Sequence, residues 1–199
     1  MISDVITGPS EKSLGAAAAR GLAEGTPKCL ILVGRSKGRI QPVVDDIKEK
    51  HPSVSVHFVP ADFMDNATVR QAATEIASIT PEIHGLINCA GIMGASAYTK
   101  SKDGIESQFA TNHVAHFLLT NLLMDQLAKG SGVIVNVSSG GKMLTDGKLE
   151  DYNFQVSQWG RNPRPLGQKF LTNTVHRMEP PMMAGLHMVD PRLRTSYLP

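Results

Sequence analysis

Val5 to Ala19 reads V-I-T-G-P-S-E-K-S-L-G-A-A-A-A, and the rest of the architecture follows from it. Asp4 to Thr7 is a short, mainly apolar strand, the chain turns at Gly8 and Pro9, and a helix of small residues runs from Leu14 to Ala23. A glycine turn between a strand and a helix N-terminus suits a phosphate, because the first helical N–H groups lack partners and the helix dipole places partial positive charge there. Gly8 permits a sharp turn, and Gly15 permits close approach of the helix backbone to a strand or ligand. Ala16 to Ala19 favour helix and tight packing on a sheet. The stretch also suits a strand–helix turn without a ligand. It is not a P-loop, because Gly8 to Ser13 lacks a second glycine before Lys12-Ser13.

Thr7-Gly8 and Leu14-Gly15 together resemble the T-G-x-x-x-G-[IL]-G turn of short-chain dehydrogenases/reductases, with one extra residue and with Ser13 in the place of the middle glycine. The T-G-P-S opening is similar to that of fungal members. The resemblance implies a nicotinamide dinucleotide held at Gly8, Leu14 and Gly15.

Further along, Lys28 to Val33 is a continuous apolar run, as expected of a central parallel strand, and it ends in Gly34-Arg35-Ser36-Lys37. In a dinucleotide-binding fold the end of the second strand faces the adenosine ribose, where an acidic residue selects NAD and an arginine accepts the 2′-phosphate of NADP. Arg35, helped by Lys37, therefore argues for NADP(H), the alternative being two solvated loop charges. Gln41 to Lys50 is an expected helix with Pro42 in its first turn. Val54 to Val59 alternates as a third strand and leads to Asp62, which the resemblance places at the adenine amino group and which otherwise serves as a loop or capping carboxylate. Asp65 or Asn66 can cap a helix from Ala67 to Ile79.

His84 to Gly91, H-G-L-I-N-C-A-G, resembles the family's N-N-A-G in the fourth strand, with Cys89 replacing the second asparagine. By that resemblance Asn88 binds backbone and steadies the sheet, and Ala90 and Gly91 give the nicotinamide ribose room. Asp103 to Leu123 has helical apolar spacing. Asn112 falls where the family keeps its structural and proton-relay asparagine, and His113 and His116 read as ordinary helix packing. Gly132 to Val137 is a fifth strand, leading to Ser138-Ser139, where the resemblance makes Ser139 catalytic. The alternation of strands and helices predicts an α/β, doubly wound parallel sheet of Rossmann type.

The bulk composition agrees with one globular domain. The chain has 199 residues, 41% hydrophobic and 19% charged, with a net charge of +2 that gives no case for nucleic acid. Cys29 and Cys89 lie in apolar runs and read as buried free thiols of a reducing compartment. No basic-then-apolar leader and no apolar run of about 18 residues appears, so the expectation is a soluble, cytoplasmic protein without membrane insertion.

The family's chemistry is hydride transfer between a nicotinamide and a carbonyl or alcohol carbon. A serine polarises the oxygen, a tyrosine moves the proton, and a lysine four residues later lowers the tyrosine pKa and holds the ribose. That Y-x-x-x-K pair is not found at its expected place. Aligned on Gly167-Gln168 and Asn173, the tyrosine position is Leu166 and the lysine position Phe170, with Lys169 one residue early. Tyr98-Thr-Lys-Ser-Lys102 matches the string but precedes Ser139 and reads as chance, and Tyr152 has Val156 four residues on. Half of the twelve prolines lie from Pro163 onward, and no strong sixth strand is legible. The expected organisation is thus a dinucleotide-binding unit over 1–155 and an altered Pro/Met-rich segment over 156–199, through a shift of frame or splicing or through gene degeneration. The expected function is an NADP(H)-dependent oxidoreductase acting on a lipophilic small molecule, within fungal secondary metabolism, as a homo-oligomer where the C-terminal region folds. The rival is a non-catalytic NADP(H)-binding remnant or interaction module.

Overall fold

Five short apolar runs form five parallel strands. The computed structural model describes residues 2–93 and 97–137. In chain order the elements are β1 (Ser3–Thr7), α1 (Leu14–Glu24), β2 (Cys29–Gly34), α2 (Lys37–Lys50), β3 (Ser55–Pro60), α3 (Asn66–Ile79) and β4 (Gly85–Asn88). They continue with α4 (Ser107–Phe109), a π-helical turn (Ala110–Val114), α5 (Ala115–Leu122), α6 (Met124–Lys129) and β5 (Val133–Asn136). The sheet order is β3-β2-β1-β4-β5 with every pair parallel, and Val5 sits in register with Ile31 on one side and Leu86 on the other. The expected doubly wound sheet is present. The order reverses at β1, and a crevice at the carboxyl ends of the strands forms at such a reversal.

The strands read as continuous apolar runs because both faces are covered. Val5, Ile31, Val33, Leu86 and Ile134 point to one face, against Val69, Ala72 and Ile76 of α3 and Leu118 and Leu119 of α5. Ile6, Leu30, Leu32 and Val56 point to the other, against Ala16, Ala19 and Ala23 of α1 and Ile40, Val43 and Ile47 of α2. The alanine stripe of α1 lets that helix lie close to the strands.

Two helix expectations are corrected. α2 begins at Lys37 rather than Gln41, so Pro42 lies inside the helix. The carbonyl that loses its partner belongs to Gly38, and Gly38 and Pro42 both face solvent, which can satisfy it. The helix expected from Asp103 to Leu123 starts instead at Ser107, because the buried Glu106 caps it: its carboxylate accepts from the N–H of Gln108 at 2.9 Å and of Phe109 at 2.8 Å. The helix then widens at the π turn and breaks at Leu123. The preceding loop is tied to α3, with the Lys102 ammonium 2.6 Å from Asp65 and the Asn66 N–H donating to Asp103 at 3.0 Å. Lys102, the last residue of the Y-x-x-x-K string, is thus paired with Asp65. Asp65, and not Asn66, caps α3, accepting from the Ala67 N–H at 3.0 Å.

Candidate cofactor cleft

The turn after β1 is built by contact as much as by conformation. Gly8 has φ +69°, and a Cβ there would lie 2.6 Å from the Ala90 Cα. Its N–H donates to the Val33 carbonyl at 2.8 Å, joining β1 to β2. A Cβ on Gly15 would lie 2.9 Å from the Gly8 carbonyl oxygen, so α1 can begin here only with glycine. Ser13 caps α1, its hydroxyl accepting from the Ala16 N–H at 3.1 Å and donating to the Gly8 carbonyl at 3.1 Å. Ser13 has an ordinary φ of −94°, whereas Lys12 has φ +63°. The position with glycine-like backbone is therefore 12 and not 13, a difference that follows from the extra residue in the turn. Leu14, the first residue of α1, is 64% exposed.

A cleft of about 450 Å³ opens at the carboxyl ends of the strands. It is lined by Ser10 from the glycine turn, Gly34 to Ser36 and Arg39 after β2, Ala61 to Met64 after β3, Ala90 to Ile92 after β4, and Thr111 from the π turn. Arg35 is exposed and lies 4.0 Å from the Asp62 carboxylate. Asp62 also accepts from the Met64 N–H at 3.0 Å, and its backbone N–H and carbonyl both bond the Thr68 hydroxyl, which sets the carboxylate at the cleft wall. Arg39 joins Arg35 in the lining, while the exposed Lys37 does not line the cleft. Arg39 was not among the expected residues, although R-S-K-G-R carries the signal: its carbonyl accepts from the Glu11 N–H at 2.8 Å and holds the glycine turn against α2.

At the β4 end, the Thr7 hydroxyl accepts from the N–H groups of Cys89 at 2.8 Å and Ala90 at 2.9 Å, and meets His116 Nε2 at 2.9 Å. His116 Nδ1 meets the Asn112 carbonyl at 3.1 Å. Burial pushes the His116 pKa down to about 4, with the neighbouring His113 acting the same way. The Asn112 side chain pairs with both backbone groups of Ile92, accepting from its N–H at 2.8 Å and donating to its carbonyl at 3.1 Å. A Cβ on Gly91 would press on the Asn112 Oδ1 at 3.3 Å. Asn88 steadies the sheet through side chains instead of the expected backbone: its amide nitrogen donates to the Thr120 hydroxyl at 3.1 Å and to Asn136 Oδ1 at 2.8 Å. His113 packs between Phe109 and Phe117, as expected, whereas His116 belongs to the hydrogen-bonded joint of the site. Cys29 and Cys89 are free thiols whose pKa values burial raises. No metal-holding cluster occurs among the described residues, and no helix there is long and apolar enough to cross a membrane.

Of the expected site, Arg35, Asp62, Ala90 and Gly91 line the cleft, Gly8 and Asn112 contact its Ala90 and Ile92, Gly15 closes on Gly8, Asn88 ends β4, and Leu14 is exposed at the start of α1. Ser139, Tyr152, Leu166, Lys169 and Phe170 lie outside the described residues. The glycine turn, two arginines and a small-residue floor offer backbone donors and positive charge, which fits a phosphorylated dinucleotide.

The model of the family described as short chain dehydrogenase matches residues 5–149. An oxidoreductase of Fusarium equiseti, fscI, is 35% identical over 155 residues, which are 75% of this chain and 60% of that protein. A short-chain dehydrogenase/reductase of Aspergillus calidoustus, drtF, is 38% identical over 116 residues, 54% of this chain and 37% of that protein. The chain thus spans less than two thirds of the length of these relatives. The structure of a metagenomic short-chain oxidoreductase in complex with NADP superposes with a TM-score of 0.60 at 22% identity, covering 74% of this chain and 64% of that one.

Proposed function

We propose that this chain, which belongs to the short-chain dehydrogenase family, binds NADP(H) in the cleft and serves hydride transfer to or from a carbonyl or alcohol carbon of a lipophilic small molecule. The observation that carries the reading is the convergence of the Gly8–Gly15 turn with Arg35 and Arg39 on one cleft at the strand ends. Arg35 and Arg39, with Lys37 nearby, supply the charge for a 2′-phosphate, which an acidic residue at this place would repel. In this reading Asp62 would hold the adenine, the N-terminus of α1 beside Leu14 would take the pyrophosphate, and Asn88, Ala90 and Gly91 would receive the nicotinamide ribose. The nicotinamide, when bound, supplies or accepts the hydride.

On the protein side, Ser139 polarises the substrate oxygen and Asn112 holds the backbone at Ile92 and the proton path. With leucine at 166 and phenylalanine at 170, a positioned tyrosine acid is missing from its place, and such an acid contributes about 10²–10⁴ in rate. Turnover is accordingly slow. Ile92, which lines the cleft, and the adjoining Met93 are apolar and exposed, which supports an apolar substrate. Residues 1–155 form the cofactor unit and 156–199 a separate segment, and a role in fungal secondary metabolism belongs to the same reading.

The test is a thermal melt with NADPH and with NADH. NADPH at 100 times its dissociation constant adds about 2.7 kcal/mol, and Arg35→Ala with Arg39→Ala removes the preference for NADPH. Equal shifts with both cofactors, or none, would overturn the assignment.

A further inference from the structure

We propose that His116 is a positioning residue of the cofactor cleft, tying the Thr7 hydroxyl to the Asn112 carbonyl so that Cys89 to Ile92 are held as one rigid floor; the role toward NADP(H) rests on the reading above. The Thr7 oxygen accepts two N–H groups, from Cys89 at 2.8 Å and Ala90 at 2.9 Å. Both of its lone pairs are then filled, and its single proton goes to the nearest remaining acceptor. That is His116 Nε2 at 2.9 Å, the Ile87 carbonyl being at 3.4 Å. Nε2 is therefore unprotonated, Nδ1 carries the ring proton, and Nδ1–H donates to the Asn112 carbonyl at 3.1 Å. The joint dictates one neutral tautomer.

Each end of this imidazole bears on the cleft. Through Thr7 it reaches the backbone of Cys89 and Ala90, and Ala90 is the residue against which Gly8 closes. Through Asn112 it reaches the π turn, where the Ala115 N–H returns to the Ala110 carbonyl five residues back. The side chain of the same Asn112 grips Ile92 on both backbone groups. β1, β4 and the π turn come from distant parts of the chain, and a single buried ring connects them. The ring also packs on Phe63, with centroids 5.0 Å apart, so a phenylalanine keeps that packing while losing both hydrogen bonds.

The experiment compares wild type, His116→Phe, His116→Gln, Thr7→Val and Thr7→Ser by amide hydrogen exchange of the free protein and by NADPH titration. His116→Phe and Thr7→Val are expected to speed exchange at Cys89, Ala90 and Ile92 about fivefold or more relative to Ile31 and Leu32, the worth of one buried hydrogen bond, and to weaken NADPH by a similar factor. His116→Gln, whose amide oxygen reaches Thr7, and Thr7→Ser, which keeps the hydroxyl, recover most of both. A His116→Phe protein that melts earlier but keeps wild-type exchange at those amides and wild-type NADPH affinity would overturn the proposal, since core packing alone gives that result. If His116→Phe does not fold, Thr7→Val reads the joint at Ile92, whose N–H Thr7 does not itself bond, and unchanged exchange there would equally overturn it. If wild type does not bind NADPH, the cofactor reading falls, while exchange in the free protein still decides the role of His116.

Discussion

Replacing Asp4 with asparagine should stabilise the protein at neutral pH and do nothing near pH 4. Asp4 lies on the central strand β1, only 5% exposed, with its carboxylate packed over Gly85, where a Cβ would lie 2.5 Å from Oδ1. Burial raises its pKa from 3.8 to about 6, against the opposing attraction of His84. Cys29, whose thiol Asp4 helps to push up, and Lys28 lie in the same electrostatic neighbourhood. A folded pKa above the unfolded one means that the contribution to stability is full below about 3.8 and is lost as pH rises through about 6. Two units correspond to about 3 kcal/mol, and relaxation and water penetration reduce this to about 1–2 kcal/mol in practice. Asparagine has nearly the same shape and no charge to desolvate. Urea unfolding of both proteins from pH 4 to 8, at constant m, measures the difference. Asp4→Asn should gain about 1–2 kcal/mol at pH 8, and the gain should vanish toward pH 4. No gain at pH 8, or a gain independent of pH, would refute the assignment of a desolvated carboxylate in the sheet.

His116 gives a slope of opposite sign. Its folded pKa of about 4 lies below its unfolded value of 6.5, so its contribution is present above about 6.5 and is lost as pH falls toward 4. The acid limb of unfolding should therefore steepen in Asp4→Asn, where the compensating carboxyl is gone, and flatten in His116→Phe, as pH-dependent chemical denaturation will show. Lys12→Gly should raise stability by about 0.5–1 kcal/mol, because Lys12 holds φ +63° and the steric cost of that conformation exceeds glycine's extra unfolded entropy; an unchanged urea midpoint would refute strain at this position.

Much of the site was legible because its signals are local. Gly8 has the left-handed φ of +69° that its turn needs, Gly15 closes on the Gly8 carbonyl of the same turn, and Asp65 caps a helix two residues away. Arg35 follows directly on the strand that aims it. Where the reading fell short, the signal was unfamiliar or the backbone carried the information. Glu106 delayed the start of the expected helix by capping it locally, and glutamate is a less familiar N-cap than aspartate or serine. The left-handed backbone at Lys12, one residue before Ser13, leaves no trace in the letters of the motif.

The sequence alone determined the α/β alternation, the parallel strands and the glycine turn after β1, since apolar runs, helical periodicity and glycine at a sharp turn act over short distances. Tertiary structure alone decided that Arg39 joins Arg35 at the cleft and that the Asn88 amide nitrogen donates to Thr120 and Asn136. It also decided that His116, besides packing on Phe63, bonds the Thr7 hydroxyl and the Asn112 carbonyl. Thr7 and His116 are 109 positions apart, and no periodicity in either segment encodes the 2.9 Å between them. That distance exists only once the sheet has brought the end of β1 beneath the π turn, where a buried hydroxyl with two filled lone pairs has one direction left for its proton.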